Sequence, residues 1–210
     1  MKSWLAYGIL HRRLTTRYPG REPDEVPLWS TTPMSTGKGN ADCPAEAISG
    51  TSVDMGKCIS CGYCAPAFLP DGNPKTSVVR STERKFRRSF HIYLFDAGSC
   101  GSCNLEVKAL ENPYYDLSRL GISFCATPKH ADAILVVGVL ALGMREPLIK
   151  AIEALPSPRL VFAVGVCAIS GGILGKSIKQ VVEADVMIPG CPPNPFTMLH
   201  ALQRSREGRS

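Results

Sequence analysis

No stretch of this sequence stays apolar long enough to cross a bilayer: the longest run, Ala133 to Met144, is 12 residues, against roughly 20 for a spanning helix. A transmembrane helix is therefore not expected. Aromatic residues are scarce, at 7% of 210 residues, and they form no aromatic-rich stacking motif of the kind a base-stacking surface requires. The formal net charge is +6 and unevenly placed: residues 1–89 carry 13 Lys+Arg and 8 Asp+Glu, net +5, while residues 90–210 carry 11 and 10, net +1. The excess gathers in Arg12, Arg13, Arg17 and Arg21 and again in Arg80, Arg84, Lys85, Arg87 and Arg88. Two short basic clusters with no aromatic-rich motif argue against nucleic-acid binding and for subunit contacts, lipid contacts or solvated faces. Histidine is sparse as well, and His11, His91, His130 and His200 show no metal-ligand spacing. Behind the apolar run Trp4 to Leu10 there is no small-residue cleavage site, and Arg12 and Arg13 follow it, whereas an export signal has its arginine pair in front. The chain is expected to stay in the cytoplasm. Residues 1–21 read as a segment for a membrane surface or a partner, or as a frayed terminus.

What the sequence holds in quantity is cysteine, nine in all. An odd number does not suit a secreted disulfide scaffold, and a chain of this length does not need such staples. With 44% hydrophobic residues a sizeable core can form, so metal ligation is the better reading. Residues 11–50, with Pro19, Pro23, Pro27 and Pro33, read as extended connection. From Phe90 the texture changes: HIYLFDAG, GISFCATP, DAILVVGV, RLVFAVGV and EADVMIPG are near-continuous apolar runs, as strands buried on both faces are. Helical stretches over 104–111, 145–155 and 196–204 lie between them. This alternation predicts a doubly wound, largely parallel sheet, whose ligands bind beyond the carboxyl ends of the strands. Cys100 and Cys103 follow the first run, Cys167 the fourth and Cys191 the fifth.

Upstream, Cys58-Ile59-Ser60-Cys61-Gly62-Tyr63-Cys64 supplies the first three cysteines of the bacterial ferredoxin pattern C-x2-C-x2-C-x3-C-P. The fourth is absent downstream, where Ala65-Pro66-Ala67-Phe68 follows, but Cys43-Pro44 resembles the end of such a pattern. The fragments are complementary, and Cys43, Cys58, Cys61 and Cys64 would complete one 4Fe-4S site. A zinc site and a relic that binds nothing are the alternatives; zinc more often uses two separated C-x2-C knuckles.

In the sheet region, Cys100-Gly101-Ser102-Cys103 alone would also suit a redox dithiol or zinc. The turns GVCAISGG and PGCPPNP each add a cysteine after a strand, and four thiolates converging on one crevice suit a 4Fe-4S cluster. Through DAGSCGSCNLEV (Asp96 to Val107), TPKHADAILVVG (Thr127 to Gly138), GVCAISGG and PGCPPNP, the segment Phe90 to Leu202 resembles the family of the complex I 20 kDa subunit and the small subunits of energy-converting, membrane-bound NiFe hydrogenases. The resemblance implies an α/β fold with a flavodoxin-like doubly wound parallel sheet. It also implies a proximal-type 4Fe-4S cluster on Cys100, Cys103, Cys167 and Cys191. The family's acidic residue falls on Glu106, read as a proton relay or as a satisfied structural carboxylate. Complex I members carry adjacent cysteines at the first position, whereas Cys100 and Cys103 are separated by two residues, as in the hydrogenase branch. The stretch Ile173 to Val186 is shorter than usual for the family. Trp4 to Pro19 and the Cys43 to Cys64 region resemble the ferredoxin-like subunit of the same complexes.

The expected organisation is a docking or membrane-surface segment and linker over 1–40, a small loop-rich, partial ferredoxin-like 4Fe-4S region over 41–80, and the second 4Fe-4S domain over 90–204. The resemblance implies an electron-transfer subunit of a membrane-attached NiFe hydrogenase-like oxidoreductase complex, with the catalytic centre in a partner large subunit. Quinone reduction, as in a complex I-like subunit, is one alternative; a cluster-free structural or assembly subunit is another. Attachment to the inner face of the cell membrane through partner subunits follows from the same resemblance. Cys125, outside every ligand motif, is expected to be a buried inert thiol. His130 is expected to hydrogen-bond, and Arg145 to face a partner or simply to start a helix.

Overall fold

Each of the apolar runs becomes a strand of one sheet. In the computed structural model, residues 4–11, 15–23, 26–38, 41–79, 86 and 89–208 are described. Most of the two basic clusters, including Arg12, Arg13, Arg80, Arg84, Lys85, Arg87 and Arg88, lies outside them. The N-terminal part contains helix α1 (Trp4–His11) and the short strands β1 (Pro33–Ser35), β2 (Ile48–Ser49), β3 (Ser52–Val53), β4 (Phe68–Pro70) and β5 (Val78–Val79). The sheet domain follows as β6 (Phe90–Asp96), α2 (Ser102–Ala109), β7 (Ile122–Phe124), β8 (Ala133–Val137), α3 (Arg145–Ala154), β9 (Leu160–Val164), α4 (Val166–Ser170), β10 (Val186–Ile188) and α5 (Pro195–Glu207).

The sheet order is β5-β10-β9-β8-β6-β7. All pairings are parallel except β5 on β10. Ordering the five parallel strands by sequence gives 2-1-3-4-5, the flavodoxin-like winding, with its switch point between β6 and β8. Residues 133–137 and 160–164 are buried throughout, because helices cover both faces. Alternate residues serve the two faces: Leu135, Val137, Phe162 and Val164 pack with Val107 of α2 and Phe196, Leu199 and Leu202 of α5. Ile134, Val136, Val161 and Ala163 pack with Leu148 and Ala151 of α3 and Ala168 of α4. Helix α5 starts where Asn194 Oδ1 accepts from Thr197 N at 2.9 Å with Pro195 next in line, and ends at Gly208, whose φ is +65°.

The N-terminal part is built onto this sheet. Strand β5 supplies its sixth strand. Tyr18 is buried in the core at 5.2 Å from Phe196, ring centroid to centroid, and Thr16 N donates to Tyr114 O at 2.7 Å. Arg119 donates to the Tyr18 carbonyl. Among the described residues no helix is long and apolar enough to cross a membrane.

Candidate metal centres

The first centre is assembled at the carboxyl ends of β6, β9 and β10. Cys100 and Cys103 stand at the start of α2, Cys167 in α4 directly after β9, and Cys191 directly after β10. These turns are tied to one another: Gly165 N donates to Ile188 O at 2.8 Å and Val166 N to Gly190 O at 3.1 Å. Burial pushes the Cys103 thiol up to about 12, and negative charge on Cys167, Cys191 and Cys100 acts in the same direction. Burial raises the Cys191 thiol too, with Cys167 and Cys100 adding to it. Cys103 Sγ lies against the Gly165 backbone, whose turn is tied to that of Cys191, and Cys100 stands three residues before Cys103. Cys100, on the rim, is instead lowered by hydrogen bonds from Ser102. A Cβ on Gly165, whose φ is +84°, would lie 2.7 Å from Cys103 Sγ, so the backbone after β9 forms one wall of a cradle that only glycine leaves open.

The loop into Cys100 is held by Asp96. Its carboxylate accepts from Gly98 N at 2.9 Å, Ser99 N at 2.7 Å, Ser99 Oγ at 2.9 Å and Asn104 Nδ2 at 2.6 Å. Burial alone would raise the Asp96 carboxyl, but the bonds from Asn104, Gly98 and Ser99 together hold it below its usual value. A carboxyl depressed on folding contributes stability above its unfolded pKa of about 3.9, and that contribution is lost as pH falls through the lower folded value. Asp96→Asn should therefore lower the midpoint of thermal unfolding at pH 7, and the difference from the native chain should vanish at acid pH. Equal effects at both would show that the carboxylate charge is not what holds the loop.

The second centre lies in the N-terminal part. Cys43, Cys58, Cys61 and Cys64 line one cavity of about 200 Å³, together with Leu28, Trp29, Val53, Ile59, Ser60 and Phe68. Burial raises the Cys58 thiol, opposed by a bond from the Ser60 N–H, and negative charge on Cys43, Cys64 and Cys61 raises it further. Cys43 is brought in by a turn in which Glu46 N donates to Cys43 O at 3.0 Å and Ala47 N reaches Cys43 Sγ at 3.3 Å. Asp54 N donates to Ala47 O at 2.7 Å and Cys58 N to Asp54 O at 3.0 Å, linking that turn to the C-x2-C-x2-C loop. Ser60 takes a left-handed φ of +54°, a conformation costing about 1–2 kcal/mol for an L-residue. Its Oγ is buried without a hydrogen-bond partner among the described residues, a further cost of about 1–3 kcal/mol.

The segments beside the two centres approach each other. A Cβ on Gly56, two residues before Cys58, would lie 3.3 Å from Ile169 Cγ2, two residues after Cys167. Both donor sets consist of thiols alone, and thiolates that repel one another require a bound cationic core to coexist. The residues present therefore fit iron–sulfur clusters. Among the described residues no group of three or more His, Cys, Asp or Glu is spaced to close on a single metal ion.

Cys125 belongs to neither set; its thiol is half-buried and donates weakly to Thr127 O at 3.4 Å and Ile92 O at 3.5 Å. Glu106 sits on α2, three residues beyond Cys103, its carboxyl raised by burial and close enough to Tyr115 to raise that phenol. His130 is exposed and its ring makes no hydrogen bond among the described residues, contrary to the sequence expectation, because it sits in a surface turn. Arg145 opens α3, exposed. Sequence reasoning missed the roles of Asp96, Gly165 and Ser60. The D-x-G-S pattern after β6 was a readable sign for the first, and the glycine two residues before Cys167 for the second; nothing local marked the third.

Thiols gathered beyond the strand ends of a flavodoxin-like sheet define a class of iron–sulfur-type redox domains. Residues 100–205 match the family described as NADH ubiquinone oxidoreductase, 20 Kd subunit, and the chain belongs to that family. Formate hydrogenlyase subunit 7 of Escherichia coli (strain K12) is 35% identical over 130 residues, covering 59% of this chain and 51% of that protein. The chain thus spans about half the length of that relative. A probable membrane-bound hydrogenase subunit of Pyrococcus furiosus is 33% identical over 121 residues, covering 55% of this chain and 72% of that protein. The crystal structure of an NAD+-reducing NiFe hydrogenase in the H2-reduced state shares the fold, with a TM-score of 0.50 at 20% identity, covering 59% of this chain and 94% of that one.

Proposed function

We propose that this chain is an electron-transfer iron–sulfur subunit of an oxidoreductase complex. One 4Fe-4S cluster would be held by Cys100, Cys103, Cys167 and Cys191, and a second by Cys43, Cys58, Cys61 and Cys64. The observation that carries the reading is that Cys100, Cys103, Cys167 and Cys191 stand beyond the carboxyl ends of β6, β9 and β10, in turns of which the last two are tied by Gly165 N on Ile188 O and Val166 N on Gly190 O. Such clusters take up and release single electrons at potentials set by hydrogen bonds to sulfur and by exposure to solvent. The close approach of the backbone at Gly56 to Ile169 supports transfer between the two sites within one polypeptide.

The chain's own residues supply the housing. Cys103 and Cys58 are thiols of the two sets that burial raises, so metal binding, which takes thiolate, would work against that burial. Asp96 fixes the Cys100–Cys103 loop, and Gly165 keeps space for the Cys103 sulfur. The exposed apolar side chains Leu105, Leu142, Ile173 and Leu174 lie in α2 and in the loops that follow β8 and α4. They suit a large subunit carrying the catalytic centre. Glu106, raised by burial, is suited to take part in proton movement beside it. We place the complex on the inner face of the cell membrane, attached through partner subunits, with residues 1–40 serving for docking, 41–80 for the ferredoxin-type site and 90–204 for the sheet-domain site.

Hydrogenase chemistry in the partner is favoured over quinone reduction by the two-residue separation of Cys100 and Cys103. The test is an assay of the intact complex, purified anaerobically, for hydrogen-dependent dye reduction and for quinone reduction. Activity with hydrogen, abolished by Cys103→Ala, is expected. Quinone reduction alone would select the second reading, and full activity in the Cys103→Ala complex would refute both.

A further inference from the structure

Ser60 stands between Cys58 and Cys61, lines the cavity of the ferredoxin-type site, and buries a hydroxyl that has no partner among the described residues. Its backbone is left-handed at φ +54°, while Gly62 takes φ +71° in the same loop. Where a left-handed turn alone is needed this loop uses glycine, so a side chain retained at residue 60 calls for a reason of its own. Thr31, the other hydroxyl on the wall, is already paired: it donates to Leu28 O at 3.0 Å and accepts from Gly72 N at 3.2 Å. Most of the remaining side chains are apolar, among them Leu28, Trp29, Val53 and Phe68, and none of these can accept a hydrogen bond. The side-chain acceptors left within the cavity are the sulfurs. Asn104 Oδ1, beside the other centre, is also buried and unpartnered, but it is an acceptor, its amide nitrogen being committed to Asp96 and Ser99. It has nothing to offer a sulfur.

We propose that the Ser60 hydroxyl donates a hydrogen bond to the sulfur framework of the cluster held by Cys43, Cys58, Cys61 and Cys64 and thereby raises that cluster's reduction potential; this rests on the reading that a 4Fe-4S cluster is bound there. A donor to sulfur favours the reduced, more negative state, so its removal favours the oxidised one. The Ser60 N–H already bonds the Cys58 thiol, and the hydroxyl extends the same residue's control to the cluster itself.

The test is an EPR-monitored redox titration of the full-length chain with both clusters reconstituted, comparing native protein with Ser60→Ala and Ser60→Gly, the sheet-domain cluster serving as internal reference. Both variants should lower the equilibrium constant for reduction of the ferredoxin-type cluster by several-fold to tenfold, tenfold being ~59 mV for a one-electron couple. The reference potential should not move. Unchanged potential at full iron content overturns the proposal, as does a shift in Ser60→Gly alone, which would point to backbone strain. Loss of the cluster from Ser60→Gly, the easier backbone substitution, would also overturn it and make the residue structural. A native chain with only the sheet-domain signal would instead remove the cluster reading on which the proposal stands.

Discussion

Replacing Cys43 by alanine should halve the iron of the anaerobically purified chain, from roughly eight atoms to roughly four, at four per cluster, and leave the sheet-domain signal intact. The expectation follows from how the ferredoxin-type site is closed. Three of its thiols come from one loop at x2 spacing, and the fourth comes from a separate turn upstream. That turn is held by Ala47 N on Cys43 Sγ and by Asp54 N on Ala47 O. Without Cys43 the cavity keeps its apolar wall and three sulfurs, and one corner of a cubane would face no protein ligand. Iron content unchanged from the native chain would show that Cys43 is not the fourth ligand.

Gly165→Ala should produce the complementary loss, with the iron of the sheet-domain centre gone and that of the ferredoxin-type centre kept. Two costs meet at this residue. Its φ of +84° with ψ of 156° lies in a region open essentially to glycine alone, which costs another residue about 1–3 kcal/mol. The added Cβ would sit 2.7 Å from Cys103 Sγ, and such overpacking typically costs about 1–3 kcal/mol more. The sulfur is the easier group to displace, because α2 is anchored by Asp96 on one side and by Val107 in the core on the other. The fold should survive, since domains of this kind have about 5–15 kcal/mol of stability to lose. Native-like circular dichroism with one cluster signal missing is the expected result; both signals at full strength would mean that the Cys103 sulfur is not held where the backbone of Gly165 meets it.

The sheet was legible because its strands are near-continuous apolar runs, and the runs at Phe90, Ala133, Leu160 and Val186 all became parallel strands. The helices over 104–111, 145–155 and 196–204 appear as Ser102–Ala109, Arg145–Ala154 and Pro195–Glu207, their ends moved by caps such as Asn194 and Gly208. The grouping of the cysteines was legible because spacing and strand ends are both local features. Other features depend on contacts between residues far apart in the chain. Strand β5 is two valines, too short for any periodicity. Tyr18, one aromatic in a proline-rich connection, gives no local sign that it is buried against Phe196. The meeting of Gly56 with Ile169 bridges more than a hundred residues of chain. Ser60 escaped notice because serine has no intrinsic leaning toward the left-handed region, so its conformation is imposed by the loop that the cysteines close.

On the proposed reading, one polypeptide would hold two four-cysteine iron–sulfur sites. Iron and acid-labile sulfide, determined per chain on anaerobically purified full-length protein, test it most directly. About eight of each are expected; about four would leave the sheet-domain centre alone, and none would contradict the account entirely.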